Sequence, residues 1–477
     1  VRLVGSEMCI RDRRASRRLD ILVADAPEFP AHGDRRRVLG GTPGQPNTVH
    51  TSDGLPPFVQ DFVHEPARPS SLDEVTVSAR VTGDAAIAAV SLHYEIYRAP
   101  FPYEAPVQTG DLDMLRGEGN IYEATLVPRP SQTLVRYRIE ASDVLGRSWI
   151  YPDEQELSPH RSYWVYDGEQ DTELPAYFLI FSREAFDKLN QNVLSKDTVE
   201  ATLIADGIVY DHIQTRYRGC RKCPKKSYKV KLNRHELLRD MNRLDLNADW
   251  PIAEKVGYNM FWMVGESNLG TELVRLVRNG EYAGVMLALD SPNGSWARRR
   301  GLSEDIELYK AREGGNIPGV GSFSQSLNYF PDHPEAYPRV YIKRGDSLGS
   351  FQTLIDFTRD LSELSGATAA EYLDAHVDVD SWIRRVTVHQ IQGYCDFHVK
   401  NYYVLRTPDP GARWNVLFFD IDGYWGATMG GFDCRGCEDI TPFCSGNVVN
   451  VRFIGSHLEE NHGRPKAGQD AKCELLH

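Results

Sequence analysis

The hydrophobic and polar positions of this chain change period about a third of the way along it. EVTVSARV (74–81), VSLHYEIY (90–97), IYEATLV (121–127) and LVRYRIEA (134–141) each alternate apolar and polar residues, with turn residues such as TGD and GEGN between them. Alternation at period two without intervening helices predicts a β-sandwich over 56–168. From Glu173 the pattern is mixed. AYFLIFS reads as a strand, REAFDKLNQNVL as a helix, and VEATLIADGIVYDHIQTRYRG as two strands joined at Asp206-Gly207. NRLDLNADW reads as a strand running into a polar loop, with a helix from about Ile252. ELVRLVRNGEYAGVMLAL is a hairpin turning at Asn279-Gly280, a pair that favours the type I′ turn. The stretch 295–335 reads as irregular, rich in Gly and Ser. SFQTLIDFTRDLSEL and AAEYLDAHVDVDSWIRRVTVHQIQGY carry apolar residues at three- and four-residue intervals and read as helices. YYVL and WNVLFF, separated by TPDPGAR, form a last hairpin. The fold class expected is therefore multidomain, a β-sandwich followed by an α+β domain over 173–431.

Composition narrows the function classes. The chain has 477 residues, enough for more than one domain. A formal net charge of -13 argues against broad nucleic-acid binding. No run approaches the ~18 apolar residues of a membrane helix. No apolar signal-peptide core is visible at the N-terminus. That N-terminus, VRLVGSEMCIRDRR, resembles a translated sequencing-adapter scar, so residues 1–13 are expected not to be native and the lack of a visible signal carries little weight. Residues 14–55 are a linker, or the remnant of a lamin-tail-like β-domain, which LGGTPGQPN resembles. Residues 432–477 carry no family pattern and read as a polar, cysteine-containing tail of the kind a truncation or frameshift leaves. Of the eight cysteines, Cys9 lies in the suspected scar, Cys220/Cys223 and Cys434/Cys437 form C-x2-C pairs, and Cys395, Cys444 and Cys473 stand alone. Zinc half-sites, disulfides of an exported protein and free thiols all remain open. A Cys220–Cys223 bond and a cross-link to the Cys434/Cys437/Cys444 group are the two pairings weighed, the second slightly favoured.

Two local charge patterns stand against the acidic background. Arg216, Arg218, Lys225, Lys226, Lys229 and Lys231 fall within sixteen residues, and in SYKVKL the lysines alternate to one face. The bland reading is a solvated strand whose lysines guard an edge. The functional reading is an anion site, with phosphate the natural ligand. The second pattern brackets the last hairpin: Asp396 and Asn401 precede its first strand, and Asp420 and Asp422 follow its second. Phosphoryl transfer needs convergent carboxylate and amide oxygens for Mg²⁺, and the ends of a tight hairpin supply them side by side. The order helix, Asp-x4-Asn, strand, turn, strand, Asp is the grammar of a kinase catalytic loop, although neither H-R-D nor D-F-G nor a Walker A pattern is present.

VRYRIEASDVLGR followed by SYWVYDG resembles a fibronectin-III or immunoglobulin-like module. KKSYKVKL, LDLNADWPIAEKVGYNMFWMVG, VRNGEYAGVMLAL, IELYKA and DFHVKNYYVL…WNVLFFDIDGYWG resemble, in order, the spore-coat protein H (CotH) family of secreted atypical kinases. The resemblance covers roughly 175–430. It implies an atypical kinase-like α+β domain, ATP with Mg²⁺ (or Mn²⁺), and transfer to hydroxyls of exported proteins. By position it makes Asp396 the catalytic-loop residue, Asn401, Asp420 and Asp422 metal ligands, and Lys226 a phosphate contact, with Arg218 and Lys231 beside it. It also implies a bacterial source and an extracellular or cell-surface location with cell-envelope association, while the adapter-like N-terminus is what points to a metagenomic origin. A non-catalytic adhesin on the same scaffold is the alternative. Two departures stand out. Asp290 occupies a position where the family usually carries Glu, which could alter a charge pair with Lys226, and Phe419 stands where Trp is usual.

Overall fold

The computed structural model describes residues 55–421, apart from short segments at 155, 157, 169–172, 220–222, 234–235, 313–314, 318–320, 324–326, 345–349 and 393–400. The chain divides into two compact units. The first comprises Val1–Arg216, Lys231–Glu236 and Arg275–Gly284; the second comprises Tyr217–Val230, Leu237–Val274 and Val285–His477. Most of the described structure is β, in several sheets, with a few helices.

The first unit opens with nine strands: β1 (Phe58–Glu65), β2 (Val75–Thr82), β3 (Ile87–Arg98), β4 (Gln108–Asp113), β5 (Leu115–Arg116), β6 (Ile121–Leu126), β7 (Thr133–Asp143), β8 (Ser148–Tyr151) and β9 (Arg161–Val165). One sheet runs β1-β2-β6-β5 and the other β4-β3-β7-β8, with β9 also paired to β7. Alternation does the work expected of it. In β2, Val75, Val77, Ala79 and Val81 are buried while the residues between them are partly exposed. They share a core with Val90, Leu92, Val135, Tyr137 and Ile139 of the other sheet, which makes the pair a sandwich. All four strands expected from the sequence are present, and β1, β4, β5, β8 and β9 are added to them.

The same unit continues with β10 (Ala176–Ile180), α1 (Arg183–Gln191), β11 (Val199–Ala205) and β12 (Ile208–Arg218). Ser182 caps α1, its side chain accepting from the Ala185 amide at 3.2 Å. Asp206 and Gly207 both have positive φ, 55° and 73°, as the type I′ turn between β11 and β12 requires. β10 lies between antiparallel β11 and the parallel segment from Arg275 to Arg278.

The second unit carries β13 (Ser227–Lys231), β14 (Arg243–Asn247), α2 (Pro251–Met263), β15 (Thr271–Arg278) and β16 (Glu281–Asp290), then the short α3 (Gly294–Arg298). Unit boundaries fall inside β12, β13, β15 and β16. Asn279 and Gly280, with φ of 51° and 82°, make the turn read from the sequence. The stretch expected to be irregular contains β17 (Glu307–Ala311), β18 (Gly315–Ile317) and β19 (Gly321–Phe323). β17 is a central strand of the sheet β20-β17-β21-β22, in which β20 is Tyr341–Arg344, β21 is Tyr402–Arg406 and β22 is Asn415–Phe418. The five residues ELYKA are too short to register as a period, but pairing on both sides fixes them as strand. Helices α4 (Tyr337–Val340), α5 (Gln352–Glu363), α6 (Gly366–His376) and α7 (Val379–Gln392) complete the unit. A core including Phe261, Leu289, Trp296, Tyr309, Phe357, Trp382 and Trp414 lies among them. Among the described residues no helix is long and apolar enough to cross a membrane.

Candidate functional site

The last hairpin brings two of the expected residues together. Tyr402 pairs with Phe418 and Tyr403 with Leu417, and the Phe419 amide donates to the Asn401 carbonyl at 2.9 Å. Asn401 and Asp420 therefore flank the open end of the hairpin, away from its turn. Both take the left-handed conformation, φ 65° and 58°, which Asn and Asp tolerate better than other side-chain-bearing residues. Asn401 is buried, and the Asp420 side chain is 40% exposed. Asp396 and Asp422 lie outside the described residues.

Arg218 at the end of β12 reaches this end of the hairpin. Its Nη2 is 3.7 Å from Asp420 Oδ1 and its Nε is 3.7 Å from Asp245 Oδ2. Both distances are ion-pair contacts too long for hydrogen bonds. Nη1 is buried with no hydrogen-bond partner. Burial opposes the charge on Arg218, but Asp245, Asp420 and Glu254 overcome it and raise its pKa. Asp245 sits on β14 with its side chain 14% exposed, and Lys229 of β13 approaches it at 3.4 Å. Burial disfavours the Asp245 carboxylate. Arg218 and Lys229 outweigh that and hold its pKa below the usual carboxylate range. The alternation of RLDLN explains the arrangement: Arg243 and Asp245 share one face of β14, while Leu244 and Leu246 are buried on the other.

Helix α2 adds a fully buried carboxylate, Glu254, whose two oxygens accept from Asn247 Nδ2 at 3.1 and 2.9 Å. Burial, Glu254 and Asp420 together push the Tyr258 hydroxyl well above its ordinary pKa, so it stays protonated. Lys310 comes from β17. Its Nζ lies 3.9 Å from the Phe419 ring centroid and 5.8 Å from that of Tyr403. Burial lowers its pKa to about 7; Asp420 opposes the shift, while Arg218, Arg344 and Lys229 add to it.

Of the other expected cations, Lys226 is partly buried, with Nζ 5.6 Å from the Tyr217 ring centroid. Lys231 is exposed and falls in the first unit. Asp290 pairs with Arg299 and Arg300 at 3.0 and 3.1 Å and accepts from the Gly270 amide at 2.9 Å. These contacts engage Asp290 in place of the charge pair envisaged with Lys226. Cys223 is disulfide-bonded, which sets aside a free thiol at that position; its partner, like the rest of the cysteines discussed above, lies outside the described residues. Among the described residues no group of three or more His, Cys, Asp or Glu is placed to hold a metal ion by itself.

The sequence did not single out Asp245, Glu254 or Lys310 for this site, nor Arg243 and Arg344 beside them. Arg243 and Asp245 were legible as the polar half of an alternating strand, and Lys310 as a charge inside an otherwise buried one. Their convergence is a property of the sheets.

A family model described as CotH kinase protein matches residues 213–459, more than half of the chain. The inner spore coat protein H of Bacillus subtilis (strain 168) is 23% identical over 292 residues, covering 60% of this chain and 78% of that protein. A solved structure, the crystal structure of a Br derivative of BhCBM56, aligns with 24% of this chain and 96% of that chain at 12% identity. Its TM-score is 0.14, too low to bear on the fold.

Proposed function

The chain belongs to the CotH kinase protein family, and on that premise we propose that its second unit is a phosphotransferase with an atypical kinase-like α+β fold. It moves the γ-phosphate of ATP to hydroxyls of exported proteins and depends on Mg²⁺ or Mn²⁺. One observation carries the reading: the end of a single hairpin presents the Asp420 carboxylate, partly open to solvent, beside a buried, incompletely paired Arg218. Asp420 is an oxygen donor suited to a hard cation, and the side-chain amide of Asn401 is a second candidate. When bound, the metal neutralises charge on the nucleotide phosphates. Arg218 and Lys229 supply positive charge for those phosphates, with Asp245 holding both in place. Lys226 is the further cation of this unit named from the sequence. Asp396 is the residue assigned to accept the proton of the attacking hydroxyl, and Asp422 the second carboxylate for metal.

The relative's place in a spore coat supports an exported, envelope-associated location for this chain. The test is nucleotide-dependent thermal stabilisation and transfer of labelled phosphate, each with and without Mg²⁺. Asp420→Asn is expected to remove metal-dependent ATP binding. ATP binding by Asp420→Asn that still responds to Mg²⁺ as the native protein does would refute the assignment.

A further inference from the structure

Helix α2 is apolar on two faces. Glu254, Gly257, Tyr258 and Phe261 are buried on one of them. On the opposite face, at the helical spacing i, i+4, i+7, i+11, stand Ile252, Val256, Asn259 and Met263, all exposed. Ile252 is 64% exposed and Met263 83%, and the exposed Trp250 and Val264 lengthen the stripe at its two ends. A solvent-facing helix ordinarily carries charge on its outer side, whereas a helix apolar all round is one covered all round. The neighbouring α7 meets the other face: Gln392 donates to the Gly257 carbonyl at 2.9 Å, and His389 lies against Phe261, ring centroids 5.3 Å apart. Three observations point to the cover. The family match continues to residue 459, past Ile421 where the described chain ends, so the family domain includes residues that follow. The chain arrives at Ile421 from beside the helix pair, the Phe418 ring lying 6.3 Å from that of Phe261 on α2 and 4.0 Å from that of His389 on α7. The longest stretch of 422–459 free of Gly and Pro contains VVNVRFI (448–454), in which Val449, Val451 and Phe453 alternate with Asn450 and Arg452 as one face of an extended segment does. Such a segment spans about 23 Å, against about 17 Å along the helix from Ile252 to Met263. The intervening residues 422–447 can stretch to about 90 Å, so reach is no obstacle.

We propose that the outer face of α2 is a docking surface for this chain's own residues 448–454, with Val449, Val451 and Phe453 set against Ile252, Val256 and Met263. Asn259, in the middle of the stripe, offers an amide that can both donate to and accept from the backbone of an extended segment. The docking stands apart from the phosphotransferase reading and needs no nucleotide. It bears on the candidate site all the same, because Glu254 and Tyr258 lie on the opposite face of the same helix and the segment braces that helix from behind.

Photocrosslinking of the full chain in dilute solution tests this. Met263→p-benzoylphenylalanine places the reactive ketone at the most exposed position of the stripe. Irradiation is expected to give a product of monomer mass in which position 263 is joined to a peptide containing 448–454. Adducts between two copies, adducts to any other part of the chain, or none at all would overturn the proposal. Hydrogen exchange supplies a second arm. Phe453→Asp should make the peptide 251–263 exchange about tenfold faster, and Ile252→Asp should do the same for the peptide 448–454, since local protection follows local packing. Phe432→Asp, in the same tail but outside the segment, should leave both peptides within about twofold of native. Folded Phe453→Asp and Ile252→Asp variants that exchange as the native protein does would also overturn the docking. Circular dichroism of each variant separates lost docking from lost fold, and should Phe453→Asp fail to fold, the crosslink decides. Absence of phosphate transfer would leave both readouts unchanged, so the two readings fail separately.

Discussion

Replacing Asp211 by Ala should be among the most damaging single changes in the first unit. Asp211 is buried on β12, and Arg136 of β7 grips it at both oxygens, Nε to Oδ2 at 2.6 Å and Nη2 to Oδ1 at 2.8 Å. The two side chains are 4% and 6% exposed. Ser162 donates to Oδ2 at 2.9 Å, Thr202 donates to Oδ1, and the guanidinium lies 4.8 Å from the Tyr97 ring centroid and 5.5 Å from that of Tyr103. At an effective dielectric near 20, charges ~4 Å apart attract by about 4 kcal/mol. Removing one partner also strands the other as a buried charge, and such losses run to about 3–5 kcal/mol. For a unit of roughly 150–250 residues that is a fall in melting temperature on the order of 6–20 °C. The pair Arg136→Met with Asp211→Leu should recover most of the loss, since a buried ion pair gains little over apolar packing of similar volume. Burial pushes the Asp211 carboxyl up, but Arg136 overcomes it and the folded pKa is well below the unfolded value of about 3.9. The stabilisation is therefore complete above about pH 4 and is lost as pH falls below it, so the gap between native protein and Asp211→Ala should narrow in acid. Urea denaturation, with hydrogen exchange read on peptides spanning Thr133–Asp143 and Ile208–Arg218, measures this locally. A loss under ~1 kcal/mol for Asp211→Ala, the range of exposed pairs, would refute the reasoning.

Asp396→Ala should spare Mg²⁺-dependent ATP binding and lose transfer, whereas Asp420→Ala should lose both; calorimetry paired with a phosphate-transfer assay separates them, and equal loss of ATP affinity would mean the roles are misassigned. Lys310, held near pKa 7 against about 10.4 when unfolded, binds fewer protons folded than unfolded across that window, so its contribution makes stability rise as pH climbs from about 7 toward 10. The difference between native protein and Lys310→Met, followed by thermal denaturation against pH, should carry that slope, and a flat difference would contradict it. Reductant should lower the melting temperature of protein with Cys223 in its disulfide; a Cys223→Ser variant that melts as the oxidised native protein does would show the bond to be without structural effect.

Local signals were the legible part of this chain. Asp206-Gly207 and Asn279-Gly280 announced their turns because few other pairs accept two consecutive positive φ values. The alternation in β2, β3, β6 and β7 announced the sandwich because a two-sheet core buries every second residue. Asn401 and Asp420 could be placed together because a tight hairpin joins them. Lys310 could not be placed with them. It sits on a strand of five residues, and its neighbours Arg344, Tyr403 and Phe419 come from 34 to 109 positions away, brought in by pairings that leave no trace in the local pattern. Arg218 was named for its place in a run of cations, but its contacts with Asp245 and Asp420 depend on where β14 and β22 run.

The hairpin that seats Asn401 and Asp420 at one end has another end. Between Arg406 and Asn415 the chain passes through Pro408, Asp409, Pro410 and Gly411, all exposed, before Trp414 turns back into the core against Phe357, ring centroids 4.5 Å apart. The pairing from Tyr402↔Phe418 to Leu405↔Asn415 insulates one end from the other. Loop closure grows only slowly more costly with length, about 0.6 kcal/mol per doubling. The Asp409–Gly411 tip is thus a natural port for grafted sequence: an epitope, a fluorophore tag or a tether to a surface could be spliced there with the register of the strands, and the residues they carry, left in place.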